Sequence, residues 1–440
     1  MSCFKEFELP VEPIFNNFTA NICDFGAQEN DIEKNAQAFK TAIDACVEKG
    51  GGKVVVPKGR WKTKSIHLKS NVNLHFEEGA VLDFSTKYND YLPAVYGYRA
   101  GVRVYSASHF IYAHNCKNIA VTGKGRLEGN GSAWWGMAVD APGMTDLQKA
   151  NKDRVPVEKR VYNTRQSGVR PEFLQFVDCE NIYIEGVYFV NSPSWTVHTV
   201  MCHNVLIRGI SVRNPFKAPN TDGIDIESCK GVLIEDCVID TGDDVICIKS
   251  GRDEDAWEFM NPCEDVLVRN CRGIGGCGGA AVGSETSGGV RNILFENCVF
   301  DKARWGIRVK TRASRGNVME NMFFKNIKIN DSSIIGIDVV MEYLDWMEKL
   351  HYNDPMYNSS EAVALRDSRI PEMKNIYFEN VELNGAPLGV QLIGIKDHEI
   401  DNISFKNCSI EAENNFLVKD VKNIVTENFS VGTEVNYKIQ

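Results

Sequence analysis

The chain has 440 residues, with 49 Lys and Arg against 59 Asp and Glu, for a net charge of −10. Its 43% apolar and 25% charged content excludes a disordered or fibrous chain. The acidic balance argues against a general nucleic-acid binder, which needs a basic face, and no apolar run approaches the ~20 residues of a membrane span.

Met1 to Phe7 lack the basic and apolar regions of a secretory leader, so a cytoplasmic protein is expected, or a secreted one if a leader has been removed. The first element in chain order is helical. Ile32, Ala36, Phe39, Ile43, Cys46 and Val47 fall at helical spacing over 31–50, with Asn30 or Asp31 as N-cap and Gly50 as stop. A lone amphipathic helix before a repetitive chain is expected to cap the open end of a solenoid.

From residue 116 a phrase recurs: often Cys, then Asn or a neighbour of it, then alternating apolar residues. It reads Cys116-Lys117-Asn118-Ile119, Cys179-Glu180-Asn181-Ile182, Cys202-His203-Asn204-Val205, Cys229-Lys230-Gly231-Val232 and Cys263-Glu264-Asp265-Val266. Asn292-Ile293, Asn375-Ile376, Asn402-Ile403 and Asn423-Ile424 continue it. The apolar residue after the Asn recurs at intervals of 23, 27, 34 and 27 from Ile182 to Ile293, and of 27 from Ile376 to Ile403. Short alternating strands at that period mean stacked β coils, which bury their apolar rows only against one another. The expected fold is all-β, a right-handed parallel β-helix, and the 14 Cys read as small apolar side chains packed against their counterparts rather than as disulfides or metal ligands. Three stretches break the rhythm, 84–112, 130–170 and 330–372, and are expected to be long loops walling a cleft. No linker is visible, so 1–440 is expected to be one domain.

The densest chemistry lies in four neighbouring segments: Asn220-Thr221-Asp222-Gly223-Ile224-Asp225-Ile226, Gly242-Asp243-Asp244-Val245-Ile246-Cys247-Ile248-Lys249, Cys277 to Ser284, and Arg304 to Lys310. Aligning Ile224, Ile246, Ala280 and Ile307 as inward-facing gives offsets of 22, 34 and 27, in step with the coil period. That register stacks Asp222 beside Asp244 and Asp243 beside Cys277. It also puts Asp225, Cys247, Ala281 and Arg308 in one outward row and Lys249, Gly283 and Lys310 in the next. Asp243 and Asp244 reach one cleft only if the chain bends, and Gly242 is read as the residue permitting a turn or bulge. Crowded carboxylates cannot all ionise independently, which suits glycosidic hydrolysis, where one carboxyl protonates the leaving oxygen and another activates water. Arg308 and Lys310 offer fixed positive charge to an anionic substrate. The same residues are equally compatible with a surface ion-pair ladder along the solenoid.

Asn220-Thr221-Asp222, Gly242-Asp243-Asp244 and Arg308-Val309-Lys310 resemble, in order and spacing, the signatures of glycoside hydrolase family 28, the polygalacturonases and related pectin hydrolases. Asp24-Phe25-Gly26-Ala27, Gly50 to Pro57, Gly129 to Trp135 and Asn191 to His198 are similar to that family's amino-terminal coils. The resemblance runs from about residue 20 to at least 330 and implies a parallel β-helix. It implies Asp243 as general acid, Asp222 and Asp244 activating water, and inversion with carboxyls ~6.5–9.5 Å apart. It implies Arg308 and Lys310 on the substrate's uronate, with Asn220 in the binding set, and neither metal nor organic cofactor. Where the family usually has Gly-His-Gly, this chain reads Gly276-Cys277-Gly278. A thiol donates weakly and is uncharged at neutral pH unless its surroundings are unusual. This departure points to an intact triad, a specialised linkage such as rhamnogalacturonan, or a weakened enzyme.

Gly283 to Val290 and the long loops look most like exo-acting members, so monosaccharide release from a pectic chain end is the expected mode. A calcium-dependent lyase and a non-catalytic carbohydrate-binding β-helix are the rivals; oligomeric state is not legible. His198, an outward-compatible position about one coil before Asp222, is read either as a substrate contact or as a satisfied structural histidine. Trp134, Trp135, Trp195 and Trp305 are sugar-stacking candidates or packed side chains. Gly273-Ile274-Gly275-Gly276-Cys277-Gly278 opens no helix and is dismissed as a dinucleotide site. Tyr343, Asp345 and Trp346 fall in the third loop without an assigned place.

Overall fold

The computed structural model describes residues 4–138, 142–343, 369–432 and 437–439; Asp345 and Trp346 lie outside them. The chain forms two compact units: an amino-terminal unit of residues 8–99 and 103–243, and a carboxy-terminal unit of residues 1–7, 100–102 and 244–440. Each is built as a right-handed parallel β-helix.

In the amino-terminal unit the strands Thr19–Asn21, Gly52–Val56, Val72–Phe76, Lys117–Gly123, Glu180–Glu185, His203–Arg208 and Lys230–Glu235 pair in parallel, each with the next. The register carries one buried row, Ala20, Val54, Leu74, Val121, Ile184, Ile207 and Ile234, through seven coils. Burying each branched side chain contributes about 1.5–3 kcal/mol, which no coil obtains alone. A second ladder, Ile66–His67, Ile111–His114, Leu174–Val177, Val197–Val200 and Ile224–Glu227, buries Ile66, Ile111, Leu174, Val197 and Ile224. It turns His67, Tyr112, Gln175, His198 and Asp225 to its outer face.

The repeat's Asn has a geometric cause. Asn118, Asn181 and Asn204 have φ of 52–57°, and Gly231 takes the place at 71°. Asn tolerates this left-handed conformation. Its amide then stacks, Asn181 Nδ2 donating to Asn118 Oδ1 at 2.9 Å and Asn204 Nδ2 to Asn181 Oδ1 at 3.1 Å. The neighbouring cysteines form a matching ladder, in which the backbone N–H of Cys116, Cys179 and Cys202 each donates to the next Sγ at 3.4 Å. The described cysteines are free thiols, nearly all buried, as the packing reading requires.

The helix Ile32–Glu48 packs on the first strands and buries Ala38, Phe39, Ala42, Ile43 and Cys46. Asp31 caps it by accepting the Lys34 N–H, and Gly50 follows at φ 79°. Val47, assigned to the apolar face, is instead 40% exposed. The stretches 84–112 and 130–170 are more ordered than loops. They hold the strands Val95–Arg99, Ile111–His114 and Val161–Tyr162 and the helices Ser132–Trp135 and Pro142–Lys152.

In the carboxy-terminal unit the strands Cys263–Arg269, Val290–Glu296, Val318–Asn330, Glu372–Asn384 and Ile400–Glu411 stack Phe295, Phe324, Phe378 and Phe405 in register, with ring centroids 4.7–5.6 Å apart. The other ladder runs Ile246–Lys249, Gly278–Val282, Trp305–Lys310, Ile335–Val340, Leu388–Ile393 and Asn414–Lys419. Among the described residues no helix is long and apolar enough to cross a membrane.

Candidate active site

The carboxy-terminal unit realises the register read from the sequence. Ile246 pairs with Ala280 and Ala280 with Ile307, while Cys247, Ala281, Arg308 and Asp338 form the outward row. Asp244 lies just before this ladder and is 2% exposed. Its Oδ1 accepts the Gly278 N–H at 2.8 Å, and its Oδ2 accepts from Lys310 Nζ at 2.8 Å. A Cβ on Gly278 would meet Asp244 Oδ1 at 2.8 Å, so only glycine allows this approach. Burial pushes the carboxyl up, but the charges of Lys310, Lys249 and Arg308 overcome it and hold the pKa below the ordinary value. Asp244 is therefore ionised, and a metal cation would have to displace Lys310 to reach it.

Arg308 lies flat on the Trp305 ring, guanidinium carbon 3.6 Å from the centroid, a cation–π contact that orients its planar fork. Its Nη1 reaches Cys277 Sγ at 3.5 Å and its Nε lies 3.5 Å from Asp338 Oδ2. Burial pushes its pKa down, and the neighbouring Cys277 and Asp244 more than reverse this. Cys277 is half-buried, its Sγ within 4.8 Å of an Asp244 oxygen. Tyr343, unassigned from sequence, lies with its ring 5.3 Å from Arg308 and 5.5 Å from Lys310.

The amino-terminal unit holds Asn220, Asp222, Asp243 and His198. Asn220 sits at φ 52°, its Oδ1 accepting from Arg170 Nη2 at 2.6 Å. Arg170 also donates to the carbonyls of Pro193 and Pro219 at 2.8 Å, and Asp222 and Asp243 both act on its charge. Asp222 is buried, and its carbonyl accepts the Thr196 N–H. Asp243 is half-buried. Residues 242–245 belong to neither flanking strand, and the reason for the glycine differs from the expectation. Gly242 does not have a positive φ; a Cβ there would lie 2.5 Å from the Ala218 carbonyl and 2.8 Å from Thr221 Oγ1. Space, not backbone freedom, demands this glycine.

Asn214, which carried no sequence signal, ties these loops together. It is buried, accepts the Ser192 N–H, and donates to Thr196 Oγ1, the Thr221 carbonyl and Thr241 Oγ1.

His198 is fully buried, with Nδ1 2.8 Å from Glu172 Oε2 and Nε2 3.2 Å from Glu227 Oε2. Both ring nitrogens are taken by buried carboxylates, which leaves none to meet a sugar; of its two sequence readings, the geometry matches the structural one. Burial alone would lower its pKa, but Glu172 and Glu227 raise it to about 10. Glu172, pushed up by burial, is drawn down to about 2, chiefly by His198. With the unfolded imidazole near ~6.5, this contribution to stability is complete below that value and lost as pH rises through about 10. The melting temperature is expected to fall across that interval. His198→Gln should remove the slope and cost about 3–5 kcal/mol by leaving buried carboxylates unpaired; calorimetry against pH checks both.

Trp134 is fully buried against Tyr91 and Phe110, Trp135 Nε1 donates to the Ser192 carbonyl, and Trp195 sets its edge on His198. Trp135 and Trp305 are half-buried, Trp305 beneath Arg308.

The sequence profile of glycosyl hydrolases family 28 matches residues 46–426. The chain belongs to this family. As a family 28 glycoside hydrolase it is similar to the hyperthermoactive exopolygalacturonase of Thermotoga maritima, with a TM-score of 0.84, 32% identity, and coverage of 95% of this chain and 94% of that one. It is 26% identical over 431 residues to the exo-poly-alpha-D-galacturonosidase of Dickeya chrysanthemi, covering 88% of this chain and 71% of that protein. It is 27% identical over 402 residues to a probable polygalacturonase of Vitis vinifera, covering 89% and 74%. Family membership makes this chain an enzyme and removes the non-catalytic β-helix from consideration.

Proposed function

We propose that this family 28 enzyme hydrolyses α-linked galacturonate chains from one end, with inversion. Asp243 is the general acid, and Asp222 and Asp244 activate the water. The observation that carries this reading is Asp244, buried yet held ionised by lysine and arginine charge. A carboxylate held ionised has no proton to donate, so the acid falls to the half-exposed Asp243 beside it in the chain, and Asp244 is left to orient the water. Arg308, stacked on Trp305 and engaged otherwise by a thiol and a 3.5 Å ion pair, is the cation suited to the uronate. Lys310 acts chiefly on Asp244. Asn220, held by Arg170, stays in the binding set. The exo mode is supported by the two exo-acting relatives. The substrate is a pectic oligosaccharide, and the steps need no metal or organic cofactor.

Incubation with oligogalacturonides, read by NMR and mass spectrometry, tests this: the first product is expected to be the β-anomer of free galacturonate. An initial α-anomer, internal cleavage, or an unsaturated product absorbing in the ultraviolet would each overturn it. Cys277 against Arg308 supports a second reading, a linkage specialist. Faster turnover of rhamnogalacturonan than of homogalacturonan fragments would establish that one instead.

A further inference from the structure

The outer face of the amino-terminal unit's second ladder, the row Tyr112, Gln175, His198 and Asp225, is a floor along which a chain could run. That floor is roofed. The strand Val95–Arg99 lies across it, held by its main chain: Tyr112 Oη donates to the Tyr96 carbonyl at 2.6 Å, Gln175 Nε2 donates to the Tyr98 carbonyl at 2.8 Å, and Gln175 Oε1 accepts the Tyr98 N–H at 3.1 Å. One buried side-chain amide thus serves both backbone groups of Tyr98, as a neighbouring strand would.

The buried network fixes which way that amide points. With His198 protonated, both ring nitrogens donate to carboxylates, so neither can accept from Gln175. The second Gln175 hydrogen goes to Glu172 Oε2 at 2.7 Å. The roof is also pressed close: a Cβ on Gly97 would lie 2.4 Å from Gln175 Oε1 and 3.1 Å from His109 Nε2. Its far end is pinned by Arg99 Nη1, which donates to Ser194 Oγ at 2.6 Å. Ser194 in turn reaches the Asn220 carbonyl at 3.5 Å, next to Asp222.

We infer that Gln175 is a latch, and Gly97 its fitting, that hold Val95–Arg99 as a wall across this floor and thereby restrict the enzyme to chain ends. The wall ends at Arg99, bonded through Ser194 to the Asn220 carbonyl, so it closes the floor directly beside Asp222. A chain terminus would stop against it, and no chain would pass beyond. The inference rests on the exo reading above and names the residues of this unit that impose it.

The test uses the full chain with Gln175→Leu and, separately, Gly97→Val, which pushes the wall outward while leaving the buried charges whole. In both, the Tyr98 amide is expected to exchange with deuterium at least about tenfold faster. On polygalacturonate, longer products should appear and viscosity should fall faster per reducing end formed. A folded variant with unchanged Tyr98 exchange, or one with faster exchange but monosaccharide as its sole product, overturns the inference. If Gln175→Leu does not fold, Gly97→Val decides by the same two readouts. A wild-type enzyme that cuts internally refutes the exo reading, and the exchange measurement then judges the latch by itself.

Discussion

Asp243→Asn is expected to lower kcat by about 10²–10⁴-fold, the usual worth of a positioned general acid. The amide matches the carboxyl in shape but cannot give a proton to the departing glycosidic oxygen. Asp243 is half-exposed and lies outside the strands, so the melting temperature should stay within about 0.5 kcal/mol equivalent of wild type. The loss should fall on kcat and leave KM nearly unchanged, because proton transfer matters only in the transition state. An aryl galacturonide, whose leaving phenolate needs no proton, should lose much less than an oligosaccharide. Steady-state kinetics on both substrates checks this, and equal losses on the two would remove Asp243 from the acid's role.

Lys310→Met is expected to destabilise the protein by about 3–5 kcal/mol, because it strips the partner from a buried carboxylate. Lys310 and Asp244 are 6% and 2% exposed and joined at 2.8 Å. The pH dependence follows from the sign of the Asp244 shift. Its folded pKa lies below the unfolded value of ~3.9, so its contribution is complete above that pH and is lost as pH falls through the lowered folded value. Without Lys310, burial dominates and the carboxyl's pKa rises. The deficit of the variant should therefore be full at neutral pH and shrink in acid, where Asp244 is protonated and needs no cation. The double variant Asp244→Asn, Lys310→Met removes both charges and should be more stable than Lys310→Met alone. Denaturant melts across pH measure all of this. A deficit independent of pH would mean that Lys310 stabilises through packing and not through Asp244.

Much of this architecture is legible in the chain because the solenoid is nearly a translation. Residues one period apart become neighbours, so offsets of 34 and 27 were enough to pair Ile246 with Ala280 and Ala280 with Ile307, and to put Ala281 beside Arg308. The recurring Asn was visible as a pattern, but its reason, a left-handed backbone position with a stacked amide, appears only in the folded coil. Where the chain leaves the coil and returns, period offers no guide. Gln175 gives no sign that it holds Tyr98, 77 residues earlier, and nothing at Tyr343 announces Arg308 and Lys310 as its neighbours. Gly242 shows the same limit: a glycine in sequence suggests backbone freedom, while the folded loops required an absent side chain.

The sequence by itself determined the stacked parallel coils, their register and the acidic and basic motifs, since each follows from side chains recurring along one axis. Only the tertiary structure decided that Asp244 is ionised by Lys310, that His198 is spent on Glu172 and Glu227, and that a returning strand lies on Gln175. Those outcomes depend on burial and on contacts between segments of unrelated spacing, and local patterning carries no record of either.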